Sequence, residues 1–182
     1  MSSVVISGDT SGAITLSAPA VAGTNTITLP ASTGTVVTTG SPASGNLIQV
    51  VQGTTLTPTT TASTSYVQTN LTASITPKFS TSKIMVLVSS AVYFSLTGGY
   101  GFYTVYRNNT TNLGTGGVNG LGNASCPFQS NVDLQLAMQV IDSPATTSAT
   151  TYTVWARGNG VGNAIINDNL TTNSIILLEI AA

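Results

Sequence analysis

The most regular alternation in the chain is "VDLQLAMQVI" (132–141), where Val132, Leu134, Leu136, Met138 and Val140 alternate with Asp133, Gln135, Ala137 and Gln139. A period of two sends one set to a buried face and the other to solvent, so the stretch predicts a half-buried strand. "DSPATTSATT" follows, with Asp142 and Pro144 as turn formers, and then "YTVWARG" (152–158). That order predicts an antiparallel hairpin over 132–158.

Other segments read the same way. "LIQVVQG" begins a series at Leu47, and "TTLTPTTTASTS", polar and broken by proline, suits an edge or an exposed loop. "YVQTNLTASITP" (66–77) alternates loosely, and "KIMVLVSSAVYF" (83–94) is a long strand whose first half is apolar on both sides. "GGYGFYTVYRNN" (98–109) puts Phe102, Thr104 and Tyr106 on one face and Tyr103, Val105 and Arg107 on the other. The last strand, "SIILLEIAA" (174–182), has Ile176, Leu178 and Ile180 on one face and Ile175, Leu177 and Glu179 on the other. It needs cover on both faces, from its own sheet or from a partner chain. Ile175, Ile176, Leu177 and Leu178 are therefore candidate oligomer contacts.

Before residue 46 the β-prone pieces are shorter. "VVIS", "AITL", "TITL" and "TVVT" are separated by Gly, Pro or Asn, which is the pattern of strands and turns. "SGAITLSAP" and "NTITLPAST" form an imperfect duplication, and "TTGSPASGN" (38–46) is the expected junction. Residues 1–45 are thus expected to be a β-rich assembly or attachment module, a stalk or a strap, and residues 46–182 the main domain. No window shows the three-four spacing of an amphipathic helix. The expected fold class is all-β, the main domain being an antiparallel β-sandwich of jelly-roll type.

Composition sharpens this reading. The chain is 41% hydrophobic and 5% charged with a net charge of −1, so self-repulsion does not hold it open. A free soluble domain usually carries about 25–35% charged residues on its surface. Here none occurs from Thr10 to Pro77. A near-neutral Thr/Ser-rich chain associates readily, and self-assembly is the simplest purpose for it. Identical copies of a charge-free segment stack without like-charge repulsion and supply each other's ladder partners.

The same numbers remove other classes. Four basic residues make no phosphate-binding patch, so nucleic acid is not an expected partner. There is no long apolar run, and the first residues lack the basic and apolar regions of a secretion signal, so neither a membrane span nor a leader is expected. Cys126 is alone and histidine is absent, which excludes an intrachain disulfide and a Cys/His zinc site. Cys126 reads as a small buried apolar residue.

Chemistry has little to work with. A carboxylate pair for glycoside hydrolysis would have to come from Asp133, Asp142 and Asp168, and the first two already have structural roles on a strand and in a turn. "INDNL" offers oxygens from Asn167, Asp168 and Asn169 but lacks the further acids of a calcium loop, and reads as an Asx-rich turn. "GTGGVNGLGN" (114–123) has no P-loop lysine and reads as a long loop. No catalytic, cofactor or metal residue is assigned. Recognition remains: Tyr100, Phe102 and Tyr103 precede Arg107, Asn108 and Asn109. Aromatic faces beside amide and guanidinium donors suit sugars. These six are the candidate receptor contacts, with core filling as the alternative for the aromatics.

The charge-free "SGAITLSAPAVAGTNTITLPASTGTVVTTG" is similar to a segment of tail-fibre and other virion structural proteins of tailed bacteriophages, notably marine and cyanobacterial ones. "SKIMVLVSS", "YRNNTTNLG", "MQVIDSPATTSATTYTVWARG" and "SIILLEIAA" resemble the terminal β domain of such fibres. The resemblance implies a virion component assembled in the bacterial cytoplasm. It implies a short homotrimer with intertwined N-terminal strands bound to other virion proteins, a sandwich head facing a host glycan or protein, and no catalysis. A capsid decoration protein is the alternative, and a polysaccharide depolymerase a distant one.

Overall fold

Among the described residues, alternation and β-branched residues become thirteen strands. They are β1 (Ser3–Ser7), β2 (Ala13–Ser17), β3 (Leu47–Thr55), β4 (Thr59–Thr61), β5 (Val67–Ile75), β6 (Lys83–Phe94), β7 (Gly99–Arg107), β8 (Thr111–Asn112), β9 (Gly122–Cys126), β10 (Val132–Asp142), β11 (Thr150–Gly158), β12 (Ala164–Ile166) and β13 (Asn173–Ile180). The computed structural model describes residues 3–8, 10–17, 19–21, 23, 24, 26, 31, 33, 38, 40–115, 119–128, 130–161, 163–166 and 171–182. Among these no helix occurs, and the class is all-β. The chain divides into two units, Met1–Val36 and Val37–Ala182.

In the first unit β1 and β2 form an antiparallel hairpin from Ser3↔Ser17 to Ser7↔Ala13. Its turn is closed by the Gly8 N–H donating to the Gly12 carbonyl at 3.0 Å, with Gly12 at φ 79°. "TITL" and "TVVT" fall largely outside the described residues.

The second unit is a jelly-roll-like antiparallel sandwich. One sheet runs β3-β13-β6-β12-β4, with β10 on the other edge of β6, and the second runs β5-β11-β7-β8, with β9 beside β7. Strand alternation sends Val86, Val88, Leu136, Met138, Ile175 and Leu177 from the first sheet, and Leu71, Ile75, Tyr103, Val105, Tyr152 and Val154 from the second, into one core. Cys126 is part of that core. The sheets come close together at Gly53 on β3. A Cβ there would sit 2.0 Å from the Thr72 carbonyl oxygen of β5, so only glycine fits.

The expected 132–158 hairpin does not form. β10 pairs with β6 along its whole length, whereas β11 pairs with β5 and β7 in the opposite sheet. The intervening residues carry the chain across the sandwich, with Ala145 at φ 53°. The cause is Asp142, which points inward: the Arg107 guanidinium Nη1 donates to both its oxygens, at 2.8 and 2.9 Å, and the Tyr152 hydroxyl donates to Oδ2 at 2.8 Å. Burial, and then the Asp142 carboxylate it bonds, push the Tyr152 phenol far above its ordinary range.

The last strand is central, between β3 and β6. Ile175 and Leu177 are fully buried in the protein's own core, which removes them as contacts for a partner chain. Glu179 is buried with them. It accepts from the Lys78 N–H at 2.7 Å, the Phe79 N–H at 3.3 Å and the Gln49 amide, which pins the β5–β6 turn to β13. Burial alone would raise its carboxyl, but the Ser82 hydroxyl, the Gln49 amide and the two N–H groups outweigh that and hold it below its ordinary value.

Candidate functional site

The outer face of the β5-β11-β7 sheet carries an aromatic surface. Side chains alternate along β7, so Tyr103 and Val105 enter the core while Tyr100, Phe102 and Tyr106 face outward. Antiparallel pairing sets Arg157 of β11 opposite Phe102, and Trp155 opposite Thr104. The Arg157 guanidinium carbon lies 4.0 Å from the Phe102 ring centroid and 5.4 Å from that of Tyr66. Tyr100 stacks beside Phe102 with centroids 6.4 Å apart and planes 13° apart. Tyr106 lies 4.4 Å from Trp155 and meets Tyr66 edge-on at 6.4 Å. A cation sandwiched among ring faces fixes rings that would otherwise turn freely.

The surroundings are polar and shaped by loops. Asn123 of β9 pairs with Phe102, and Ser125 with Tyr100, at the sheet edge. Asn112 of β8 and Leu121 lie against β7: the Thr104 hydroxyl donates to Asn112 Oδ1, and the Leu121 N–H donates to the Tyr103 carbonyl at 2.8 Å. Gly120 sits so close to the Tyr103 carbonyl and the Tyr66 hydroxyl that a side chain there would collide with both. The Trp155 indole N–H is buried without a hydrogen-bond partner. At the Gly99 end, the Asn159 amide oxygen accepts from the Tyr100 N–H and its nitrogen donates to the Gly98 carbonyl, tying two loops together. Leu96, Phe128 and Val161 are exposed on loops flanking the start of β7.

The six predicted receptor contacts divide three ways. Tyr100 and Phe102 are on this surface. Tyr103 is fully buried and its hydroxyl lies in the core, which corrects the expectation that it meets a receptor. Burial pushes its phenol far above the ordinary range. Arg107, Asn108 and Asn109 are at the opposite end of β7, Arg107 being about 24 Å from Tyr100 at 3.4 Å per residue. There Arg107 is committed to Asp142. Asn108 and Asn109 have φ of 49° and 56° and form the tight turn into β8, and the Asn108 side chain accepts from the Thr151 N–H at 2.9 Å. Tyr66, Trp155 and Arg157 were missed. Tyr66 directly precedes β5 and the other two lie on β11, and only sheet pairing brings them to Phe102.

Among the described residues, Asp133 and Asp142 do not assemble a hydrolytic pair. Asp133 and Asp142 are nine residues apart on one strand, about 30 Å, whereas glycosidase carboxylates stand about 5–10 Å apart. The Asn167-Asp168-Asn169 turn lies outside the described residues.

No family model matches the chain, and no curated protein matches it. Among solved structures it is similar to capsid protein of infectious bursal disease virus. The VP2 subviral particle is 13% identical with a TM-score of 0.41, over 78% of this chain and 39% of that one. The T13 viral particle is 12% identical with a TM-score of 0.42, over 94% and 42%. The Gt strain is 12% identical with a TM-score of 0.39, over 98% and 47%. The chain thus spans less than half the length of these proteins, and likenesses this remote decide nothing about its role.

Proposed function

We propose that the chain is a structural protein of a virus particle, a short homotrimeric fibre of the tailed-phage kind. Its first unit serves assembly and its sandwich meets the host surface. The observation that carries this is the β1–β2 hairpin. Register puts Val4, Ile6, Ile14 and Leu16 on one face, and all four are between 56 and 67% exposed. An isolated two-stranded hairpin is at best marginally stable in water, and four uncovered aliphatic side chains on one face call for a partner. Within residues 3–17 the one charged side chain is Asp9, between the two strands, so the strands themselves carry no charge to repel an identical copy, and identical hairpins are the simplest cover.

On this reading the aromatic surface around Phe102 and Arg157 is the contact with the host. Stacking rings beside the exposed Asn123 amide suit a sugar face with its hydroxyls. The test is solution mass by light scattering. The intact chain is expected at about three times 18.4 kDa, and Ile14→Lys/Leu16→Lys is expected to lower that mass. A native chain that stays monomeric at every concentration overturns the proposal.

A further inference from the structure

The outer face of the β3-β13-β6-β10 sheet is unlike the aromatic one. Register aligns Ile141, Met85, Leu178 and Val50 in one row across four strands, and Gln139, Leu87, Ile176 and Gln52 in the next. The following row is Ala137, Ser89, Ser174 and Thr54. On the other side of the first row stand Lys83, Ile180 and Leu47. Ile141, Val50 and Leu47 are each more than half exposed, and Met85, Leu87, Ile176 and Leu178 are half-buried only by one another and their strand neighbours. Lys83 stands at one end of the face and Asp133 near the other. The rows between them contain no ionised side chain.

We infer that this face is covered by the same face of other copies of the chain. This rests on the reading of the protein as self-assembling, but it names a second surface, in the other unit. Size supports it. Four strands about 4.8 Å apart span about 19 Å, and the seven residues of β6 that pair with β13 about 24 Å, giving about 460 Å² of flat sheet, which β12 and β4 extend along the rest of β6. A stable complex buries about 800 Å² per partner, a size the face reaches together with the β12–β4 end of the same sheet. Its make-up fits as well: an aliphatic centre of about 300–400 Å², rimmed by Gln52, Gln135, Gln139, Ser89 and Thr54, is the dry core and polar rim of such interfaces. With no ionised group in the central rows, identical faces meet without repulsion. Ile176 and Leu178 are the residues of the last strand that reach the partner.

The test compares the full-length native chain with Val50→Lys/Ile141→Lys and with Ile14→Lys/Leu16→Lys. Solution mass is followed over a hundredfold dilution, and peroxide oxidation of the Met85 thioether is followed by peptide mass spectrometry. Val50 and Ile141 are outside the core, so lysine there leaves its packing intact. Should that variant fail to fold, Val50→Thr keeps the β-branch and replaces it. The expected result is Met85 oxidation at least tenfold slower in the associated native chain than in the face variant. The face variant is also expected to dissociate at a concentration at least tenfold higher. If Met85 of the associated native chain reacts as fast as in the face variant, the inference falls, and a loss of mass in the hairpin variant still upholds assembly through the first unit. A native monomer with reactive Met85 overturns both. A native monomer with protected Met85 overturns the inference in favour of cover by the chain's own first unit.

Discussion

The two outer faces of one sandwich differ in kind. The β3-β13-β6-β10 face is aliphatic, with Met85, Leu87, Ile176, Leu178, Val50 and Ile141 in two rows. The β5-β11-β7 face is aromatic, with Arg157 held over Phe102 among Tyr66, Tyr100, Tyr106 and Trp155. Aliphatic rows without charge gain by excluding water and recognise little beyond another apolar surface. Rings with a guanidinium and free edges present directional contacts, which is what discrimination between ligands requires. The difference separates surfaces suited to cohesion from surfaces suited to recognition.

The largest predicted effect would abolish the comparison by separating the sheets. Gly53→Ala puts a methyl 2.0 Å from the Thr72 carbonyl oxygen, and overpacking against backbone is expected to cost about 3 kcal/mol. A fall in the urea midpoint with unchanged slope would report it, and a midpoint unchanged from native would show that β3 and β5 do not meet there. Asp142→Ala comes next. It leaves the Arg107 guanidinium and the Tyr152 hydroxyl without their acceptor, at a cost of about 2–3 kcal/mol. Tyr152→Phe should cost only about 1 kcal/mol, because the ion pair survives.

Acid tests the hinge beneath the aliphatic face. The Glu179 carboxyl is held below the ordinary value of 4.5 in the folded protein, so folding favours its ionised form. Its contribution is complete above that value and is lost as pH falls through the lower, folded-state one. Glu179→Gln should therefore flatten the decline in urea midpoint between pH 5 and pH 3. A decline equal to that of the native protein would mean that the carboxylate does not pin the β5–β6 turn.

Much of this was legible in the residues. Period two located β10 and β6 closely, and alternation in "GFYTVYR" sorted Phe102 and Tyr106 from Tyr103 and Val105. Pairing across the sandwich was not legible. Asp142-Ser143-Pro144 has the composition of a hairpin turn, but its carboxylate finds Arg107 and Tyr152 in the other sheet, and that long-range bond sends the chain across. The aromatic surface was half visible for the same reason. Tyr100 and Phe102 are neighbours in sequence, while Tyr66 and Arg157 reach them only through sheet order. Arg107 misled because strand alternation places it on the inward side, where an acid awaited it.

The smallest predicted effect separates the two faces most cleanly. Trp155 is the chain's single tryptophan and packs 4.4 Å from Tyr106 on the aromatic side, so its emission reports that face alone. Dilution that dissociates copies held through Val50 and Ile141 should change the solution mass and leave the emission maximum where it was. Arg157→Ala should shift the emission while leaving the mass unchanged, since removing one cation from two rings costs about 0.5–1 kcal/mol and touches none of the aliphatic rows. If dilution moves the Trp155 emission together with the mass, copies meet through the aromatic face, and cohesion and recognition share one surface after all.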